Sequence, residues 1–179
     1  LSSNFGNMFS VAAATLFLPF LPMLPAQILI NNFLYDTSQI TIPTDNVDES
    51  YTLRPQRWNL KMIYHYMLIF GLTSSVFDFA TFYTLYKFFH VSEGQFRTGW
   101  FMESLATQIL VVFIIRTNQI PFVQSKPGKY LVASVLICLS IGWLLPYTGF
   151  ADLVGFEKLP LDVLLVITGL VILYLFCAE

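Results

Sequence analysis

Five side chains with oxygen atoms suited to a cation sit in two of the most apolar stretches of this 179-residue chain. Near the start, SSNFGNMFS places Asn4 and Asn7 three residues apart. Further on, ILINNFLYDTSQ places Asn32 and Asp36 four apart, with Asn31 alongside. Either spacing puts the pair on one face of a helix. Carboxamide and carboxylate oxygens are ligands for hard cations such as Mg²⁺ and Ca²⁺. Mg²⁺ gives up its water reluctantly, so amide oxygens that meet a partly hydrated ion suit it. Asparagines also join helices in membrane bundles by hydrogen bonding, and spacing alone does not choose between the two roles.

The elements that must position these groups are membrane helices. The chain is 56% hydrophobic and 11% charged, with eighteen Phe and nine Tyr; a soluble domain carries about 25% charged residues. The expected fold class is all-α, a polytopic transmembrane bundle. The formal charge of -2 comes with no basic stripe, so nucleic acid is not an expected partner. Cys138 and Cys177 lie in apolar runs and read as packing residues.

A span needs roughly 20 mostly apolar residues. Six are expected, at about 4–21, 25–42, 62–89, 99–115, 130–145 and 160–176, the first truncated. Pro19, Pro22 and Pro25 bend the chain between the first two. Leu1 is not an initiator Met, and no basic segment with a cleavage motif follows it, so the chain reads as a piece of a longer protein. The loops 43–59 and 116–129 hold Arg54, Arg57, Arg116, Lys126 and Lys129, and Lys61 follows the first of them. Lys87, Arg97 and Lys158 fall on the opposite side. The positive-inside bias puts the first set in the cytoplasm.

Acids inside such spans are functional candidates by default. Asp162 starts the last span, where water and the helix dipole favour it. Glu103 is expected near the outer end of the fourth span, within reach of water. Asp78 lies mid-span, where pairing with another helix is expected. His65 and His90 stand alone, which argues against a soft-metal site. There is no P-loop and no Ser-His-Asp arrangement, and no internal symmetry suggests a secondary transporter.

With those residues in view, SSNFGNMFS and LPMLPAQILINNFLYD resemble the fifth and sixth membrane helices of P-type ATPase cation pumps. Asn4 and Asn7 match the two ligand positions of the fifth helix, and Asn32 and Asp36 those of the sixth. Calcium pumps carry a glutamate at the position of Asn7 and a threonine at that of Tyr35; both departures argue against a calcium site. The closer resemblance is to the bacterial magnesium-importing P-type ATPases of type IIIB. It is carried by FLPFLPMLPAQILINNFLYDTSQ, IPTDNVDESYTLRPQRWN, FGLTSSVFDFATF and RTNQIPFVQS, and it spans essentially the whole chain.

The resemblance implies a C-terminal transmembrane part, helices five to ten. Residues 1–42 are then the partial fifth and the sixth transport helices, 43–61 a cytoplasmic loop, and 62–179 a four-helix support bundle. It implies Mg²⁺ as the transported ion, with Asn4, Asn7, Asn32 and Asp36 as ligands. Gln108 falls about where these pumps place a polar residue of helix eight near the cation.

The implied partners are helices one to four and the phosphorylation, nucleotide-binding and actuator domains, where ATP-Mg binds. None of these parts is in this sequence, so this stretch alone is expected to be inactive. A multi-pass location in the bacterial inner membrane, in contact with its lipids, follows. The loop from Asp45 to Arg57 is expected to contact the phosphorylation domain. The competing reading is a membrane anchor or assembly subunit whose Asn and Asp residues are only structural.

Overall fold

The computed structural model describes residues 2–46, 59–117 and 121–179, and these are helical throughout apart from turns and one isolated bridge, Pro121 to Ser125. Helix α1 runs Ser2–Phe17 and α2 Pro25–Gln39. The three prolines separate them. Pro25 opens α2, where its missing N–H costs nothing. The 3₁₀ turn Ile42–Thr44 follows.

Helix α3 spans Leu60–Tyr83 and continues through a π turn, Thr84–Phe88. The chain then reverses through His90, at φ 50°. Helices α4 (Glu93–Leu110) and α5 (Val112–Ile115) are nearly continuous. Then come α6 (Lys129–Leu144), the single turn α7 (Ala151–Val154) and α8 (Leu161–Ala178).

Four of these segments are long and apolar enough to cross a membrane: Leu60–Phe88, Glu93–Ile115, Lys129–Tyr147 and Leu161–Ala178. Helices α1 and α2, at 16 and 15 residues, are shorter than the six-span expectation gave them. Pro19 ends α1, because its ring disfavours helix at Leu18, and α2 gives way to the 3₁₀ turn that holds Pro43. Helix α4 starts at Glu93, not near Gly99. Ser92 explains this: its hydroxyl accepts from the Gln95 N–H, and the Gln95 side chain reaches back to the Ser92 N–H, forming a capping box.

Helix α4 is the axis of the bundle. Its apolar stretch is 83% buried, against 28% for α6 and 22% for α8. Phe96, Trp100, Phe101, Met102, Leu105 and Ile109 are all enclosed. The more uniformly apolar α6 and α8 keep outer faces for lipid, such as Leu136, Ile141, Leu165 and Phe176. Phe82 packs on both Phe96 and Trp100, with ring centroids 5.4 and 4.9 Å apart.

Helix α1 lies against α3, and α2 against α6 and α4. The α1–α3 approach is set by small residues, as in many membrane helix pairs. A Cβ on Gly6 would come within 2.9 Å of the Gly71 carbonyl oxygen, a backbone atom with no freedom to yield. Ser75 Oγ donates to the Gly6 carbonyl at 3.2 Å.

At one end of the bundle, Arg116 binds two connecting segments together. Its Nε donates to Asp45 Oδ2 at 2.5 Å, and its other nitrogens reach Ser125 Oγ and the Asn46 carbonyl. The Gly128 N–H donates to Asp45 Oδ1 at 2.6 Å. Both partners are almost enclosed, with side chains 6% and 9% exposed. Residues around Asp45 and Arg116 therefore share one end, as loop charge suggested. Gln95 and Arg97, which bond the Lys158 and Leu21 carbonyls, lie at the other. Asp48, Glu49, Arg54 and Arg57 fall outside the described residues.

Burial pushes the Asp45 carboxyl up, but the Arg116 hydrogen bond, the Gly128 N–H and the Arg116 charge hold it below the ordinary 3.8. A carboxylate whose folded value is depressed adds stability that is complete above the unfolded value and is lost as pH falls through the folded one. Asp45→Asn should therefore lower stability by about 1.5–3 kcal/mol at neutral pH. Unfolding of the full-length protein followed against pH should show the gap to the parent closing only below 3.8. A gap that stayed open in acid would contradict this account of the clamp.

Candidate functional site

The polar groups of three helices meet at one hydroxyl, Ser104 Oγ of α4. It donates to Asn7 Oδ1 of α1 at 3.2 Å. It accepts from Gln108 Nε2 at 2.8 Å and from Asn31 Nδ2 of α2 at 3.4 Å. One O–H and two lone pairs are the full capacity of a serine, so Ser104 is saturated. Asn31 and Gln108 each donate an N–H to Ser104, and their carbonyl oxygens are left buried without a donor. Buried acceptors without donors are costly. A hard cation, or a water in its shell, is the chemical complement of such oxygens.

Helix phase explains which residues point inward. The buried positions of α2 are Gln27, Asn31, Leu34 and Ser38, one continuous face. Gln27 fixes its start by donating to the carbonyls of Val154 and Gly155 and accepting from the Leu24 N–H. Ser134 of α6 fixes its end, donating to the Ser38 carbonyl at 2.8 Å and meeting Thr41 Oγ1 at 2.6 Å. Asn32 and Asp36 lie beside this face: Asn32 is half-buried and Asp36 exposed.

Of the five residues singled out as ligands, Asn7 and Gln108 are brought together, through Ser104. Asn4 and Asp36 are exposed, Asn32 is half-buried, and none of the three makes a hydrogen bond or ion pair among the described residues. Helices α1 and α2 are consecutive, yet each packs mainly on a different neighbour, so their polar faces are joined through α4. No group of three or more His, Cys, Asp or Glu side chains occurs among the described residues; the cluster is built of amides and a hydroxyl.

Sequence reasoning missed two members of this cluster, Asn31 as an inward group and Ser104. The signal lay in TGWFMESLATQ, where small and polar residues crowd a membrane helix, the pattern of a helix surrounded by protein rather than lipid. Glu103 is a correction. It was expected to reach water near a helix end, but it is 1% exposed, because the Ser92 cap starts the helix ten residues before it. Asp78 behaves as expected and bonds other helices: Ser10 Oγ donates to it at 2.6 Å and Trp100 Nε1 at 2.7 Å.

The fold is a helical membrane bundle whose central helix gathers carboxamides from two short helices. Residues 20–179 match the family model described as "Cation transporting ATPase, C-terminus", and the chain belongs to that family. It is 46% identical over 165 residues to a protein named "Magnesium-transporting ATPase, P-type 1" from Salmonella typhimurium strain LT2. It is 44% identical to the protein of the same name from Escherichia coli K12. Either match takes in 90% of this chain and 18% of the relative, so the chain corresponds to a small part of those proteins. The resemblance to bacterial magnesium P-type ATPases thus holds.

Ser104→Ala removes the shared partner of three amides. It should lower the stability of the full-length protein in lipid by about 1–2 kcal/mol, read as a drop in its unfolding midpoint. Ser104→Thr, which keeps the hydroxyl, should restore part of the loss. An alanine variant as stable as the parent would show that Ser104 is not the junction.

Proposed function

We propose that this chain is the C-terminal membrane part of an ATP-driven magnesium transporter, and that α1 and α2 supply part of the path taken by Mg²⁺. One observation carries the reading. Asn4 and Asp36 stand exposed on helices that lie against the bundle, and buried carbonyl oxygens of Asn31 and Gln108 lack donors. An uncovered carboxylate in hydrocarbon costs about 2.5–3.5 kcal/mol. The polar face of α1 and α2 is therefore a surface for other polypeptide, water or an ion, not for lipid tails.

In this reading Asn4, Asn7, Asn32 and Asp36 face the ion, and Gln108 adds a carbonyl oxygen from α4. Asp36 supplies the only full charge among them, and the neutral amides suit an ion that keeps part of its water. ATP-Mg acts in phosphorylation, nucleotide-binding and actuator domains outside this sequence, and helices one to four of the same protein complete the path. The names of the relatives, and the match to a cation-transporting ATPase family, support the ion and the energy source. The bacterial inner membrane is the matching location, with the Asp45–Arg116 end in the cytoplasm. The Arg116 clamp on Asp45 holds the base of the connecting loop, so movement of a cytoplasmic domain against that loop would reach α2 and α6 together.

Asp36→Asn should raise the Mg²⁺ needed for half-maximal ATPase activity of the full-length protein by about 10-fold or more, the lower range for losses at metal sites. Asn4→Ala should raise it in the same direction. Unchanged Mg²⁺ activation in both variants would remove the site from α1 and α2. It would favour a bundle whose amides only bind helices together, and such a protein would also gain no thermal stability from Mg²⁺.

A further inference from the structure

Next to Ser104, on the face of α4 toward α3, lies a second polar centre that the magnesium reading does not use. Asp78 and Glu103 are both completely enclosed, at 0% and 1% exposure. Asp78 is provided for: the Ser10 hydroxyl and the Trp100 indole N–H each donate to one of its oxygens, at 2.6 and 2.7 Å. Glu103 lies one turn from Trp100, on the face of α4 that meets Asp78, and neither of its oxygens meets a donor.

Among the described residues, no positive charge faces the pair. The ion pairs among the described residues are Arg97–Glu93 and Arg116–Asp45, both elsewhere. The other ionisable group that feels both acids is Tyr174 of α8, which also feels Tyr35 of α2. From α1 comes only the Ser10 hydroxyl. Two carboxylates side by side in a low-dielectric interior repel each other and lose hydration. A proton on one of them removes the repulsion and supplies the missing donor in a single step. Asp78, with one N–H and one O–H donor, is the better place for the negative charge, and Glu103 is the better place for the proton.

We propose that Asp78 and Glu103 form a proton-binding site inside the bundle, in which Glu103 carries an exchangeable proton directed at the Asp78 carboxylate. On release, the O–H bond of Glu103 breaks, its electron pair stays on the carboxylate, and the proton passes to water. The pair then holds two negative charges with no counter-cation. That state is favoured only when the interface between α3, α4 and α1 admits water. Ser10 links the site to this interface, since α1 carries it three residues from Asn7. Proton release and the position of α1 are thereby coupled. The proposal stands apart from the magnesium reading, because none of its groups is a proposed ligand of that ion.

Infrared spectroscopy of the full-length protein in lipid vesicles tests it directly. At neutral pH the C=O stretch of a buried, protonated carboxylic acid should be present, and it should shift in D₂O. It should be lost in Glu103→Gln and retained in Asp36→Asn, which separates this site from the magnesium path. Absence of the band in the parent, its survival in Glu103→Gln, or its indifference to D₂O would overturn the proposal. Should Glu103→Gln fail to accumulate, Asp78→Asn decides. Removing the charged acceptor should move the band while leaving it present, whereas an unmoved band would place the acid away from Asp78.

Discussion

A saturated hydroxyl on the most enclosed helix of the bundle is the contact on which the arrangement depends. Ser104 uses its one proton and both lone pairs on Asn7, Asn31 and Gln108. Through it α1 and α2, which rest mainly on different neighbours, acquire a fixed relation to each other. In a lipid environment no hydrophobic force sorts one apolar helix against another, so close packing and hydrogen bonds must do so. Here the close packing is Gly6 on Gly71, and the hydrogen bonds are those of Ser104, Asp78 and Gln27.

Helix α4 carries both polar centres because, among the long helices, it is the most shielded from lipid. Trp100 and Glu103 face α3, while Ser104, bonded also by Gln108, joins α1 and α2. The low dielectric that makes these groups costly when unpartnered also makes their partners specific. The outer helices α6 and α8 supply that shield and contribute few polar contacts of their own. One is Trp143, whose indole N–H donates to the Met102 carbonyl at 3.1 Å and holds α6 on the axis. Gly142, one residue earlier, leaves room for the Leu105 side chain, which a Cβ would strike.

Much of the fold was legible in the chain because hydropathy reports what a membrane imposes directly: helices of a minimum length, separated by turns. The four longer spans, and the shared end of the Asp45 and Arg116 segments, follow from that. The length of α1 and α2 and the start of α4 did not, since proline trimming and the Ser92 cap are local effects that a hydropathy window averages away. For the site, three- and four-residue spacings put Asn4 with Asn7 and Asn32 with Asp36. They do not reveal which face turns inward, so Asn31 was passed over although it sits beside Asn32. Glu103 was misplaced because burial of a helix is decided by its neighbours, and no single helix encodes them. Resemblance supplied Gln108, and the structure adds its bond to Ser104.

The central claim is that Ser104 sets the geometry of the amides that serve the ion. A double-mutant cycle of Ser104→Ala and Asn7→Ala, read as the Mg²⁺ concentration for half-maximal ATPase activity of the full-length protein, measures that link. The account predicts that the two effects are not additive: once Ser104 is gone, losing Asn7 adds less than it does alone, by more than about 0.5 kcal/mol. Additive effects would show that the two side chains act independently, and would contradict the claim.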